Sequence, residues 1–153
     1  MAPHIVGLFT APSAGAPCVS HDRVEVVAGL GIPGDRYATR LGRWSDPKWP
    51  DQELTLIEAE VAESAGVEPG LLRRNVVTRD VRLDDLIGRT FTIGSAVLEG
   101  VRPCDPCAYI ETLTQPGMLK ALTAKGGLRV RVIASGHIAV GDAIMMASAT
   151  ASS

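Results

Sequence analysis

Short runs of apolar and β-branched residues, each closed off by glycine, proline or aspartate, recur along this chain and confine it to folds built from many short strands. Arg23 to Val27 alternates charged and apolar residues through Val24-Glu25-Val26, the pattern of a half-buried strand. Asn75 to Thr78, Thr90 to Ile93, Ala96 to Val101, Leu128 to Ala134 and Ala143 to Met146 are runs of the same kind. Ile93-Gly94-Ser95-Ala96 supplies a tight turn between two of them and predicts a hairpin. Gly136 to Asp142 reads as two turns around a short strand.

Two helices are expected among these strands. The first opens at Thr55-Leu56-Ile57-Glu58, a capping-box spacing in which the threonine hydroxyl and the glutamate each satisfy a backbone donor. It runs through Val61 to about Ala65, with Gly66 in the left-handed closing position. The second begins near Pro116, carries Met118, Leu119 and Leu122 on one face and stops at Gly126-Gly127. A further helical turn is expected from Pro69 to Arg73. Many strands with few helices predict a mostly β fold with helical insertions, a β-barrel. With 153 residues the chain suits one core-bearing domain. Residues 1–22 are expected as a strand and loop packed on a domain spanning 23–146, and 147–153 as a flexible tail of small residues.

Composition narrows the partners. Hydrophobic residues make up 46% and charged residues 21% of the chain, as in ordinary globular proteins. A net charge of −2 and the lack of a lysine or arginine cluster argue against a nucleic-acid partner. No apolar run approaches the roughly 20 residues that span a bilayer. The start of the chain lacks the features of a secretory signal, so a cytoplasmic protein with no membrane partner is expected. The cysteines, Cys18, Cys104 and Cys107, are too sparse for a disulfide scaffold.

Arg102-Pro103-Cys104-Asp105-Pro106-Cys107 is the segment with most chemical potential. Thiolate is the reactive form of cysteine, a neighbouring cation such as Arg102 favours it, and the prolines stiffen the backbone around both sulfurs. Four readings are open. The pair is half of a zinc site, completed by Cys18 and one of His4, His21 or His137; or a redox pair lacking the usual βαβ surroundings; or two inert thiols; or a functional thiolate that carries sulfur or binds a soft metal. Elsewhere, Gly34-Asp35-Arg36 forms a turn that presents a charged pair. Arg73-Arg74-Asn75 places arginines, whose planar fork suits phosphate or carboxylate, just before a strand. Arg129 and Arg131 share one side of a strand, after a glycine pair that lets the backbone approach a ligand. The segment from Ala38 to Asp51 holds both tryptophans and no periodicity. It reads either as a functional loop or as a cap on the core.

The order of these motifs carries more than any one of them. Gly-Asp-Arg, Thr-Leu-Ile-Glu, Arg-Arg-Asn, Leu-Ile-Gly-Arg-Thr-Phe-Thr-Ile-Gly, Leu-Glu-Gly-Val-Arg-Pro-Cys-Asp-Pro-Cys, Gly-Gly-Leu-Arg-Val and Ile-Ala-Val-Gly-Asp-Ala-Ile follow one another from about Val24 to Met146. The series resembles the MOSC domain, named for the C-terminal part of molybdenum-cofactor sulfurases. The resemblance implies a MOSC-type β-barrel with a cysteine in a basic pocket. That cysteine carries a persulfide sulfur for metal–sulfur cofactors or ligates molybdenum. Carried over by position, it is Cys107, which is also the implied metal ligand; Cys104 is shared with part of the family. Gly34, Asp35, Arg36, Arg74, Asn75, Arg102 and Arg129 are the implied cofactor-binding residues. Tyr37 stands where many relatives have histidine, which removes an acid/base group from that turn.

Three functions follow as expectations. The first is a module that binds molybdenum cofactor (molybdopterin) and passes sulfur from Cys107. The second is a molybdenum-dependent reductase of N-hydroxylated compounds, fed by a flavin reductase. The third is a non-catalytic module, structural or zinc-binding. No pyridoxal-phosphate site is expected in this chain, so sulfur is expected from a cysteine desulfurase or another donor in trans.

Overall fold

The computed structural model describes residues 2–11, 18–35, 53–66, 74–103 and 127–146. The segments expected as a helix from Pro116, a helical turn from Pro69 to Arg73, the two-tryptophan loop and the tail lie outside them. Ten strands are found among the described residues: β1 (His4–Thr10), β2 (Val19–Ser20), β3 (Arg23–Val26), β4 (Leu54–Glu58), β5 (Val76–Arg79), β6 (Thr90–Ile93), β7 (Ala96–Pro103), β8 (Leu128–Ala134), β9 (Gly136–Ala139) and β10 (Ile144–Met146). One helix, α1 (Ala59–Ala65), and a 3₁₀ turn (Leu83–Leu86) accompany them. The fold is mostly β, as expected.

Eight strands form one sheet in the order β10-β6-β7-β8-β4-β5-β1-β2, and β3 pairs with β9 in a separate ribbon. The large sheet curls until the start of β10 reaches the start of β1. Beside β1, Ile5 N–H donates to the Asp142 carbonyl at 2.9 Å, and Ile144 N–H, at the start of β10, donates to the Pro3 carbonyl at 3.0 Å. Curling buries one face. Ile5, Leu8, Leu54, Leu56, Val76, Phe91, Leu98, Leu128 and Val130 line the interior, and the ribbon adds Val24, Val26 and Ile138. A register shift between Ile5 and Gly7 lets Ile5 and Leu8, three apart, both turn inward. The outer face carries a second cluster of Ile57, Ala59, Ala62 and Val77, where α1 packs on β4 and β5.

The β6–β7 hairpin forms as its turn predicts, with Thr92 opposite Val97. Gly94 turns with φ 58°, and a Cβ there would stand 2.3 Å from the His137 carbonyl oxygen, so the position admits only glycine. The expected capping box is corrected. Thr55 to Glu58 is strand, and α1 starts only at Ala59, with no side-chain cap on its first turn. Tertiary burial overrides the local signal: Leu54 to Ile57 are all buried between two faces of packed residues, as in parallel strands. Gly66 closes the helix in the left-handed conformation, as expected.

Glu58, at the end of β4, accepts a hydrogen bond from Leu83 N–H at 3.4 Å. Burial raises its pKa above the ordinary 4.5; the Leu83 N–H opposes this, Glu60 and Asp84 add to it, and Arg82 opposes it. A carboxyl raised in the folded state contributes stability that is complete below the unfolded pKa and lost as pH rises through the folded one. Glu58→Gln keeps the acceptor for Leu83 and should flatten that decline in denaturant midpoints just above pH 4.5. An unchanged profile would assign the titration to another group. In the core, Leu98→Ala should lower stability by about 2–5 kcal/mol. Exposed Ile133→Ala should stay within about 0.5 kcal/mol of wild type by the same measurement.

Candidate functional site

A single cross-strand row brings several of the sequence-predicted residues together. In register, Arg102 of β7 lies opposite Arg129 of β8, and Arg129 lies opposite Thr55 of β4. Thr55 in turn bonds Asn75, the residue just before β5. Paired residues of antiparallel strands share a face. Leu128 and Val130 point into the barrel, so Arg129 points to the outer face, the one that also carries α1.

Arg129 is 8% exposed, and its Nε and Nη1 atoms are buried with no hydrogen-bond partner among the described residues. An ion removed from water without a partner costs several kcal/mol. The adjacent rung shows what ordinary structural pairing looks like on this face. Arg131 lies opposite Glu99, and its Nε and Nη2 contact the Glu99 Oε1 at 3.2 and 3.0 Å. Opposite Arg129 in register stands a second arginine, Arg102, rather than a carboxylate. Among the described residues, the row therefore holds one buried guanidinium, that of Arg129, with two donors unused.

The remaining predicted residues flank this row. Arg74 is 8% exposed, and its Nε lies 3.6 Å from where a Cβ on Gly127 would stand, two residues from Arg129. Asn75 is fully buried: its Oδ1 accepts from Thr55 N–H at 3.1 Å and Thr55 Oγ1 at 3.2 Å, and its Nδ2 donates to the Phe9 carbonyl at 3.1 Å. Asp35, also fully buried, accepts from Ala11 N–H at 3.0 Å, two residues along the chain from Phe9. Gly34 is exposed in the turn before it. Arg74, Arg102 and Asp35 each have further interactions of their own. Arg36, Cys104 and Cys107 lie outside the described residues; β7 ends at Pro103, immediately before Cys104 in the chain.

Sequence reasoning assigns Thr55 to a helix cap and misses its place in the row; only the pairing of β4 with β5 and β8 reveals it. It also misses Glu53, whose buried carboxylate accepts from Val132 N–H at 3.0 Å and so fastens β8 just beyond its last rung with β4. At Gly127 the expected close approach occurs, to the protein's own backbone. A Cβ there would lie 2.1 Å from the Leu56 carbonyl oxygen, and φ is 112°. Among the described residues no group of three His, Cys, Asp or Glu side chains is placed to hold a metal ion. No helix among them is long and apolar enough to cross a membrane.

Residues 49–145 match the MOSC domain family. The chain belongs to the MOSC domain family. This family is related to the C-terminal domain of molybdenum cofactor sulfurase and is associated with molybdenum cofactor. The matched span holds Arg74, Asn75, Arg102, Arg129 and both cysteines of the CxxC, and leaves Gly34-Asp35-Arg36 outside. The fold is similar to that of the YuaD protein from Bacillus subtilis, with a TM-score of 0.76 and 21% identity over 94% of each chain. It is also similar to YiiM from Geobacillus stearothermophilus, with a TM-score of 0.68 and 19% identity over 95% of this chain and 75% of that one. YiiM from Escherichia coli gives a TM-score of 0.65 and 20% identity over 96% and 69%. Among curated proteins, none matches this MOSC chain in sequence.

The unpaired guanidinium makes a prediction for the ligand-free protein. Arg129→Met keeps most of the apolar stem and removes the buried charge with its two unused donors. It should raise ligand-free stability by about 1–3 kcal/mol, measured by denaturant unfolding in a buffer without oxyanions. A loss of stability of that size would show that the fold needs the charge.

Proposed function

We propose that this MOSC protein binds molybdenum cofactor through an anionic group seated on Arg129, and carries sulfur on Cys107 for metal–sulfur cofactor assembly. The observation that supports this most is the buried guanidinium of Arg129 without a partner among the described residues, faced by Arg102. Nε and Nη1 offer hydrogen-bond donors to an oxyanion such as a pterin phosphate, and a desolvated setting strengthens charge-assisted bonds. Arg74 adds a second buried guanidinium beside Gly127. The residues present thus fit an anionic cofactor. When bound, the cofactor supplies a metal–sulfur centre; the protein's own part is to hold its anion and present a thiolate.

Cys104 and Cys107 follow directly on the strand that carries Arg102, and a cationic setting favours the thiolate form. In the transfer step the Cys107 thiolate attacks the terminal sulfur of a donor persulfide. A new sulfur–sulfur bond forms as the donor's breaks, and the donor leaves as thiolate with no net oxidation. The donor is a partner in trans, such as a cysteine desulfurase, met in the cytoplasm.

Two measurements test this reading. Inorganic phosphate should raise the melting temperature of the wild type in a concentration-dependent way, as any ligand of the folded state does, and leave Arg129→Met unmoved. Incubation with a cysteine desulfurase and cysteine should add the mass of one sulfur at Cys107, and Cys107→Ser should abolish the gain. Equal phosphate stabilisation of Arg129→Met, or sulfur uptake by Cys107→Ser, would overturn the reading.

A further inference from the structure

We infer that Asn75 and Thr55 act as a positioning pair that holds Arg129 and Arg74 in place, and that Asn75 does not itself contact the ligand. The inference rests on the arginine seat proposed above. It turns on where the hydrogen-bonding capacity of the two side chains goes.

A carboxamide oxygen accepts two hydrogen bonds and its nitrogen donates two. Asn75 Oδ1 takes both of its bonds from Thr55, one from the backbone N–H and one from the hydroxyl. Nδ2 donates to the Phe9 carbonyl. The Asn75 backbone is held as well: its N–H donates to Thr55 Oγ1 at 3.1 Å, and its carbonyl accepts from Phe9 N–H at 2.8 Å. Thr55 Oγ1 therefore donates once and accepts once within the pair. Both residues are 0% exposed, and the Asn75 carboxamide oxygen and the Thr55 hydroxyl are already used within the pair.

These five bonds fasten three strands at one level. Asn75 is tied to β1 on one side and to β4 on the other, and Thr55 is the residue of β4 opposite Arg129. Arg74 is the preceding residue, so its Cα is fixed by the same bonds. Both buried arginines thus take their backbone positions from one buried polar unit. A guanidinium whose Nε and Nη1 are unbonded keeps its place only if its backbone and stem are held. Buried polar groups that bond one another in this way supply that rigidity.

The test reads Arg129 directly, without ligand. In proton–nitrogen spectra, the Arg129 Nε–H of the wild type, assigned by its absence in Arg129→Met, should exchange slowly with solvent. Thr55→Val, which has the same shape without the hydroxyl, should speed that exchange at least about tenfold at a temperature far below its own melting point, as expected when a buried polar network loses a member. Asn75→Ala should do the same, and the double variant should be no worse than either single one. Thr55→Ser should restore wild-type exchange. If Thr55→Val and Asn75→Ala lower the melting temperature but leave Arg129 Nε–H exchange at the wild-type rate, the positioning role is overturned. It is equally overturned if Thr55→Ser behaves like Thr55→Val. Whether phosphate moves that resonance in the wild type is a separate readout, and it judges the proposed ligand without bearing on the positioning pair.

Discussion

Among the described strands, β4 and β5 form the one parallel ladder in a sheet that is otherwise antiparallel, and the site depends on that pairing. Parallel neighbours cannot be joined by a tight turn; the chain must leave the sheet and return to the same end. Here the chain leaves β4 through α1, which packs on the outer face over Ile57 and Val77, and it rejoins the sheet at β5. The start of β5 is thereby set beside the start of β4. Asn75 and Thr55 meet there, and the residues on either side of them in register are Phe9 and Arg129. An antiparallel hairpin at this position would bring the start of one strand to the end of the other and dissolve the row.

The strands most legible in the sequence are those with alternating residues or a short apolar run closed by turn residues, such as Asn75 to Thr78, which is β5 to within a residue. β3, β6 and β8 alternate apolar and polar residues, and the alternation marks them to within a residue of their bounds. β4 has no alternation to read, because its residues are buried on both faces, and its Thr-x-x-Glu spacing coincides with a helix cap. β1 is obscured for another reason: its register shift spaces the inward residues Ile5 and Leu8 three apart, which fits neither period cleanly.

The same distinction governs the site. Local order is enough to mark Arg74, Asn75, Arg102 and Arg129, and strand alternation is enough to put Arg129 and Arg131 on one face. What alternation cannot tell is the partner. Arg131 meets Glu99, 32 residues earlier, whereas Arg129 meets Arg102; the two differ only through the register of β7 against β8. A shift in β7 between Gly100 and Arg102 sets that register. Without it Arg129 would face a different residue of β7. The bulge is thus part of the site, although it contributes no side chain to it.

Arg129, nine-tenths buried and with two nitrogens unbonded among the described residues, is a poor choice for a sheet that needs only to fold. The sequence can supply the alternative, because the next rung along has it in Glu99. The interior cluster and the bonds from Asn75 and Glu53 lie around the row and offset the cost of the buried guanidinium. Stability is drawn from the barrel and the clamps, while the Arg129 guanidinium is left without a partner among the described residues. A buried positive centre gains most from an anion that enters with its charge already concentrated on oxygen, since each desolvated donor is then used. On the reading proposed for this site, that ligand is a phosphate-bearing one, and the same guanidinium would lower the cost of ionising a thiol brought close to it.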